Sequence, residues 1–503
     1  MSHTALTTAT PLLSVPTAVA SAPTAVSAST VKRAVRIPPL HPLRPARPGP
    51  RVPPAHRVAP GPHATAHAAA KVHEVSQLPS TVINQLRSPA PLENPWLAAS
   101  VLAAAAVLVT AWVVLAVWRH RAGRRTPHPV LTRVGLGTAV VVLFLAGSLL
   151  AVNSYAGYIP TTSALGNLLT GSPLESAGSV PSGPAASAGT VSSRSSARSL
   201  AQSRLARAPS APVATARSQI VQLKIGAGEL GVQPSTTYVY LPAGYTDPRN
   251  AAVRYPVVYL IHGYPGQASD WLVAGRAQQA ADLLQQHALI APMIMVFPTA
   301  TGGWLHDSEC LNAVGAGQKL ETYLTRVVVN TIDRTFRTIP SRSGRAIGGM
   351  SSGGYCALNL GLRHLAIYST ILSSMPYGDP GPGPLRRMLG GSMALFHANS
   401  PSWYVSRMAF PQRVAVFLDA STDDRVTLNT ARTMAAVLAA RGQYVALRIA
   451  PGLGHTWREA RAELPYSLVF ASQHLSRRAG GVPLRLASGK AGIASVTLPR
   501  RVG

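Results

Sequence analysis

Two long runs without a charged residue constrain this chain more than any other feature. The first, PWLAASVLAAAAVLVTAWVVLAVW, covers residues 95–118, and the second, VGLGTAVVVLFLAGSLLAV, covers residues 134–152. A helix of about 20 apolar residues crosses the hydrocarbon core of a bilayer. A buried pair of core helices would need amphipathic partners, which the neighbouring sequence does not offer. The two runs therefore predict two transmembrane helices.

The loop between the runs, residues 119–133, contains five arginines and no acidic residue. Short loops rich in Arg and Lys stay on the cytoplasmic side of a membrane. The N-terminal tail is also basic, but Arg87 is its only basic residue close to the first run. We therefore expect a cytoplasmic loop, with the chain on either side of this hairpin outside the cytoplasm.

The charge is spread unevenly along the chain, which has 46 Lys and Arg, 17 Asp and Glu and a net charge of +29. Residues 1–94, rich in Pro, Ala and Arg, show no helical or alternating periodicity, which predicts a disordered tail. Their arginines are scattered, with no aromatic residues between them for base stacking, so a nucleic-acid partner is not expected. The Ser, Ala, Gly and Pro of residues 153–216 predict a flexible linker, and residues 479–503 a short polar extension.

Residues 217–478 predict a single domain. Apolar strand-like runs such as YPVVYLIHG, RAIGGMS and YVALRIAP alternate there with helix-like segments such as QKLETYLTRVVVNTIDRTF. This alternation, with nearly continuous apolar strands, indicates an α/β fold: a mostly parallel sheet with helices on both faces.

A nucleophile motif follows one of these strands. Residues 349–353 read GMSSG, which matches G-x-S-x-G, and they lie between RAIGGM and the helix-like GYCALNLGL. In a strand, tight turn and helix, the central serine is exposed as a nucleophile. The glycines are needed because a Cβ on either side would collide where the strand reverses. Ser351 is the predicted nucleophile.

A carboxylate and a histidine follow in the chain order of an α/β-hydrolase. Asp423 comes after the strand VAVFLDA, and His455 comes after the strand VALRIAP. Because parallel strands end at the same edge of a sheet, both side chains should lie near Ser351. His455 is the predicted base, and Asp423 the acid that orients its imidazole.

Two backbone amides are expected to form an oxyanion hole. One is the amide of Ser352, directly after the nucleophile, and the other is that of Tyr264 in the Gly-rich turn after YLIHG. His262, in the same turn, is expected to brace the loop rather than to act as a second base.

Several segments together resemble one family. YPVVYLIHGYPGQASDW, ETYLTRVVVNTIDRTFRT, GRAIGGMSSGGYCALNLGLRH and LGHTW are similar to the esterase family of α/β-hydrolases that includes S-formylglutathione hydrolases, feruloyl esterases and actinobacterial mycolyltransferases. The resemblance covers residues 219–475 and implies the same nucleophile, acid and base. In the acid loop, ASTDD, relatives commonly have a glycine before the acid, so Asp424 is an alternative to Asp423.

Two cysteines, Cys310 and Cys356, are the only ones in the chain. Neither has a basic partner nearby in sequence, which argues against a catalytic thiol. In an exported domain they could form a disulfide between the loop HDSECLN and the helix after the nucleophile, and free thiols are the alternative. No metal-ligand cluster is found, and no cofactor is expected.

The sequence therefore predicts a membrane-embedded serine esterase that acts on a small-molecule or lipid ester. Transfer of the acyl group to a sugar or lipid hydroxyl uses the same residues and is an alternative, as is a non-catalytic scaffold of the cell envelope. The loop YGDPGPGPLRRMLGGSM is expected to form part of the pocket wall. Its Arg386 and Arg387 could meet an anionic group, although solvated arginines are the simpler interpretation.

Overall fold

The computed structural model describes most of the chain from residue 71 to residue 476. The predicted extension, and most of the predicted tail and linker, lie outside the described residues. The described residues are 71–87, 90–123, 129–170, 178–179, 217–301, 303 and 306–476.

One mixed sheet organises the fold. All of its neighbouring strands run parallel except for the pairs β3–β4 and β4–β6, and their order across the sheet is β1-β10-β9-β8-β7-β5-β6-β4-β3-β2. The strands are β1 (Val72–His73), β2 (Gly178–Ser179), β3 (Gln219–Ala227), β4 (Val232–Leu241), β5 (Val257–Ile261), β6 (Ile294–Phe297), β7 (Arg345–Met350), β8 (Thr370–Ser374), β9 (Ala415–Ser421) and β10 (Tyr444–Ala450).

Helices cover both faces of this sheet and form the N-terminal hairpin. A π-helical segment, Tyr323–Val328, joins α7 to α8. The helices are α1 (Ser80–Arg87), α2 (Pro95–Arg121), α3 (Pro129–Ala156), α4 (Thr162–Thr170), α5 (Asp270–Val273), α6 (Ala277–Gln286), α7 (Leu320–Thr322), α8 (Val329–Thr335), α9 (Ser352–Arg363), α10 (Pro382–Arg387), α11 (Met393–Ala398), α12 (Pro401–Tyr404), α13 (Arg425–Ala440) and α14 (Trp457–His474).

The central strands are buried on both faces, as their uninterrupted apolar sequences predict. Every residue of β5, β6, β7 and β8 is buried. One hydrophobic core includes apolar residues of α8, α9 and α13, and the other includes those of α1, α6 and α14. This arrangement confirms the predicted α/β-hydrolase fold with helices on both faces.

Some elements were not predicted from the sequence. β3 forms an antiparallel pair with β4, outside the parallel pattern. α14 has Pro465 in its interior, where proline removes a hydrogen-bond donor and normally ends a helix. Packing compensates here, because Leu464 and Leu468 on either side of the proline are completely buried.

The two uncharged runs form α2 and α3. α2 begins at the predicted Pro95 and ends beyond the predicted limit, and α3 extends beyond the predicted limits at both of its ends. Both helices are long and apolar enough to cross a membrane, with mean hydropathies of 2.5 and 2.3 in their most apolar windows. α2 continues to Arg121, so its last turn is basic, which stabilises the negative end of the helix dipole.

The predictions of a structureless tail to residue 94 and a structureless linker from residue 153 are wrong near the hairpin. β1 pairs with β10, and α1 buries Val82, Ile83 and Leu86. These three residues form one apolar stripe at helical spacing, which is too short to stand out in the Pro-rich tail. On the other side of the hairpin, residues 153–156 complete α3, and α4 follows.

Candidate active site

The nucleophile turn has the backbone geometry that its sequence predicts. Ser351 lies between β7 and α9 with φ 59° and ψ −123°, and its N–H donates to Ser374 O at 3.0 Å. A Cβ on Gly349 would overlap Gly353 O, and a Cβ on Gly353 would overlap Ile261 O. Glycine is therefore required at both positions, because the backbone of the turn packs against itself and against β5.

Ser351, His455 and Asp424 form a continuous hydrogen-bonded chain. His455 Nε2 lies 2.7 Å from Ser351 Oγ, and His455 Nδ1 lies 2.6 Å from Asp424 Oδ2. With the hydroxyl donating to Nε2, the proton on Nδ1 is donated to the carboxylate. Ser351 and His455 thus lie together, as predicted.

The carboxylate that reaches His455 belongs to Asp424, so the prediction of Asp423 in that place is wrong. Asp423 is exposed, and its Oδ1 accepts a hydrogen bond from Thr422 Oγ1 at 3.0 Å. After β9 the chain makes a tight turn, in which Asp424 N donates to Ser421 O at 3.2 Å. This turn makes Asp424 the N-cap residue of α13 and directs its side chain to the histidine.

Asp424 is held in its charged form. Burial raises the pKa of its carboxyl group, but hydrogen bonds from the Thr427 side chain and from His455 outweigh burial, so the pKa lies below its usual value. The N–H of Thr427 also donates to Asp424 Oδ1, as expected for an N-cap aspartate.

The loop predicted to supply the second oxyanion donor lies beside the nucleophile. A Cβ on Gly263 would stand 3.4 Å from Ser351 Cβ, and Tyr264 lines the same cavity as Ser351 and Ser352. Ser352 is the first residue of α9, where backbone N–H groups point out of the helix and favour negative charge.

His262 joins two loops and is completely buried. Its Nε2 accepts a hydrogen bond from Ala300 N at 3.2 Å, so its Nδ1 donates to Gly263 O at 2.8 Å. Burial lowers the pKa of His262 to about 4. The ring is therefore neutral, and it braces the loop as expected.

The two cysteines form a disulfide, which was one of the two predicted alternatives. Cys310 and Cys356 are joined with a Cα–Cα distance of 5.8 Å. The bridge ties the loop after β6 to α9, one turn beyond the nucleophile. It therefore fixes the wall of the cavity that contains the neighbouring residue, Glu309.

A cavity of about 490 Å³ opens at Ser351, and three acidic residues, Asp307, Glu309 and Asp379, lie in its wall. Burial, followed by the charge of Asp307, raises the pKa of Glu309 to about 8. The predicted arginine loop reaches this wall, because Arg387 pairs with Asp307 at 2.9 Å. Arg386 is exposed, as the simpler interpretation of the sequence predicted.

Tyr377 was not identified from the sequence. Its hydroxyl lies 3.3 Å from His455 Nε2 and 3.4 Å from Ser351 Oγ, and its ring stacks on the imidazole with centroids 5.9 Å apart. Tyr377 belongs to the loop that was predicted to form the pocket wall. Its position directly after β8, at the same edge as the nucleophile, was the available signal.

Comparisons with known proteins find similarity to esterases. Residues 232–463 match the family model described as "Putative esterase". An uncharacterized protein of Corynebacterium glutamicum is 31% identical over 176 residues, which make up 34% of this chain and 40% of that protein. An esterase of Mycobacterium tuberculosis is 30% identical over 154 residues, 30% of either chain.

A solved structure of a ferulic acid esterase has a TM-score of 0.46 and 24% identity, and the match covers 52% of this chain and 100% of that chain. The chain spans less than half the length of both curated relatives. The family match confirms the resemblance to esterases for the C-terminal half of the chain.

Proposed function

We propose that this chain is a membrane-anchored serine esterase, with Ser351 as nucleophile, His455 as general base and Asp424 as the acid of the triad. The observation that carries this proposal is the hydrogen-bonded chain from Ser351 Oγ through His455 to Asp424, with distances of 2.7 and 2.6 Å. The match of residues 232–463 to an esterase family supports the same class of reaction.

In the first half of the reaction, Ser351 Oγ attacks the ester carbonyl and its proton passes to His455 Nε2. The carboxylate of Asp424 stabilises the imidazolium that forms. The tetrahedral intermediate then collapses, the bond to the alcohol oxygen breaks, and His455 gives its proton to the departing alkoxide. The acyl group remains on Ser351 as an ester.

In the second half, a water molecule takes the place of the alcohol. His455 accepts a proton from the water as the oxygen attacks the acyl carbonyl, and then returns it to Ser351 Oγ as the acyl bond breaks. The products are one alcohol and one carboxylic acid, and the resting hydrogen bonds are restored.

The oxyanion formed in each half would be stabilised by the amides of Ser352 and Tyr264. Such a donor typically lowers the barrier by about 3 kcal/mol, because it already points to the position where the negative charge develops in the transition state. The N-terminus of α9 adds its dipole at the same point.

The membrane anchor in this proposal is the α2–α3 hairpin. Both helices have the length and hydropathy of membrane spans, and only 6% of the apolar window in each is buried within the protein. Their lipid-facing side chains would include several of the exposed apolar residues, such as Val107, Val114, Phe144 and Leu149.

We also propose that the catalytic domain lies outside the cytoplasm. A hairpin of two spans returns the chain to its starting side, and β1, before α2, pairs with β10 of the catalytic domain after α3. That pairing supports a position on the same side of the membrane for the chain before α2 and the chain after α3. The arginines of the short loop favour the cytoplasm for the loop itself.

The catalytic proposal is tested by labelling the full chain with a fluorophosphonate, which reacts with activated serines. We expect one labelled site in the wild type, none in S351A, and a loss of at least about 10³-fold in ester hydrolysis for S351A. Labelling or hydrolysis that persists in S351A would contradict the assignment of Ser351.

The orientation of the chain in the membrane is tested separately, with C-terminal fusions to alkaline phosphatase and to a green fluorescent protein. We expect phosphatase activity without fluorescence, because the phosphatase is active only after export. A fluorescent fusion without phosphatase activity would contradict the extracytoplasmic domain and leave the triad assignment intact.

A further inference from the structure

A buried ion cluster fastens the hairpin to the catalytic domain. Glu93, two residues before α2, is 3% exposed. Its carboxylate accepts hydrogen bonds from Arg461 at 2.7 and 3.1 Å and pairs with Arg276 at 3.3 Å. Arg461 belongs to α14, and Arg276 immediately precedes α6. Separating the charges of a buried ion pair is energetically costly, because it would leave a buried charge without a counter-charge.

The two ends of the hairpin are also tied to each other. The side-chain amide of Asn153 donates to Leu92 O at 3.0 Å and to Ile159 O at 2.8 Å, and its oxygen accepts from Ile159 N at 2.8 Å. Leu92 N donates to Pro160 O at 3.2 Å. We call residues 92–94 and 153–160 the junction. The ion cluster of Glu93 with Arg461 and Arg276 joins this junction to the catalytic domain.

The junction touches the loop of His455 and also α5, the helix that follows the loop of Tyr264. A Cβ on Gly454, the residue before His455, would stand 2.6 Å from the hydroxyl of Tyr155. Tyr158 donates a hydrogen bond to Asp270 Oδ1 at 3.1 Å. The other oxygen of Asp270 accepts from Gln267 N at 2.9 Å, in the loop that continues from Tyr264.

The active site is therefore close to the ends of the two apolar helices. Tyr155 contacts the neighbour of His455, and His455 reaches Ser351 Oγ, so Tyr155 and Ser351 Oγ are separated by no more than about 15 Å. A tyrosine at the end of an apolar helix is typical of the headgroup region of a membrane. The headgroup region itself is about 6 Å thick on each side.

The mouth of the cavity presents apolar surface. Val426 and Tyr264 line the cavity and are 66% and 38% exposed. Trp403, next to the cavity residue Ser402, is 50% exposed. Exposed apolar side chains around a binding cavity commonly mark a surface that meets lipid or an apolar ligand.

From these contacts we infer that the catalytic cavity opens at the lipid–water interface and that the substrates are esters of amphiphiles held in the same membrane. The acyl chain can stay in or near the bilayer while the ester reaches Ser351. The junction, rather than the linker, then sets the height of the active site above the membrane. This inference rests on the proposed esterase function and membrane anchor.

The location of the catalytic cavity relative to the membrane is tested with the full chain in phosphatidylcholine vesicles. Ser351 is labelled with a fluorophosphonate that carries a dansyl group on a short linker, and a spin label on the lipid headgroups acts as a short-range quencher. We expect the dansyl fluorescence to fall by at least half. The matched control is S341C carrying dansyl on the cysteine, because Ser341 is exposed and precedes β7, at the opposite edge of the sheet. Its fluorescence should fall by less than a tenth.

Equal fluorescence at Ser351 with and without the spin label would overturn the inference while leaving the esterase proposal in place. A failure to label Ser351 would overturn the esterase proposal, and the inference with it.

The substrate class is tested with two esters of glycerol. The protein should release oleic acid from monooleoylglycerol in its own vesicles at least tenfold faster than butyric acid from monobutyrin at the same total concentration. Equal or slower release from the long-chain ester would overturn the amphiphile as substrate, whereas hydrolysis of neither would contradict the esterase proposal.

Discussion

The nucleophile turn and the junction lie at the same edge of the sheet, but they are built from different interactions. The turn consists of consecutive residues 349–353, whose geometry is fixed by backbone packing at glycines. The junction joins residues far apart in the chain, since Glu93 and Arg461 are 368 positions apart, and it depends on buried charge. The geometry of the nucleophile turn is therefore encoded locally. Its placement relative to the hairpin depends instead on buried ion pairs, in which the loss of one partner leaves the other charge uncompensated.

The largest expected effect distinguishes two adjacent carboxylates at the catalytic edge. D424N should lower kcat/KM about 10³-fold, because the amide can no longer stabilise the imidazolium or fix the tautomer of His455. D423N should change kcat/KM by less than about threefold, because that side chain is exposed and bonded only to Thr422 in the described structure. Kinetics of both variants on a soluble ester test this, and a reversed order would restore Asp423 as the acid.

The next effect concerns the junction. E93Q should lower the free energy of unfolding by about 3 kcal/mol, because Arg461 and Arg276 lose their buried counter-charge. Urea denaturation of the detergent-solubilised chain, followed by tryptophan fluorescence, measures the change. E229Q removes an exposed carboxylate and serves as the matched control, with an expected change below about 0.5 kcal/mol. Equal stability of the two variants would mean that the ion cluster does not hold the junction.

A smaller effect depends on pH and involves the cavity wall. The pKa of Glu309 is raised to about 8, whereas a glutamate in an unfolded chain has a pKa of about 4.3. Between these values the folded protein binds more protons than the unfolded chain, so this group's contribution to stability falls as pH rises and levels off above pH 8.

E309Q cannot ionise, so its stability relative to the wild type should increase by about 2 kcal/mol from pH 5 to pH 6.5. Denaturation of both proteins at the two pH values measures this difference. Asp307 and Asp379, which share the cavity wall, are present in both proteins. Their contributions to the pH dependence of stability therefore largely cancel in the comparison. A difference that is the same at both pH values would show that Glu309 is already ionised at pH 5.

The smallest expected effect is at Tyr377. Its hydroxyl lies 3.3 and 3.4 Å from the reacting atoms of His455 and Ser351, which is long for a hydrogen bond between such groups. Y377F keeps the stacked ring and should lower kcat/KM by no more than about threefold. A loss of more than tenfold would instead give this hydroxyl a direct part in the proton transfers.

Those parts of the fold that depend on local sequence were predictable. The seven strands from β4 to β10 and the nucleophile turn each have a continuous apolar or glycine-rich signature. Ser351 and His455 follow from the ends of such strands. The position of Asp424 depends on how tightly the chain turns after Ser421, and the two adjacent aspartates give the same sequence signal.

The contacts of α1 and of the junction could not be predicted, for a different reason. α1 is a single short amphipathic helix in a Pro-rich segment, and its partner α14 contains Pro465, so neither has a clear helical signal. Glu93 stands alone among basic and apolar residues, and nothing in the sequence near it indicates Arg461 or Arg276. Such contacts between distant residues emerge only from the folded chain.

Trapping the acyl group tests the central claim most directly. A p-nitrophenyl ester whose acyl-enzyme deacylates slowly is mixed with the full chain, and the reaction is stopped in acid within the first turnover. The protein is then digested, and its peptides are analysed by mass spectrometry. The account predicts one acyl adduct, on Ser351, together with a burst of p-nitrophenol equal to the enzyme concentration. Turnover without an adduct on Ser351, or an adduct on another residue, would contradict it.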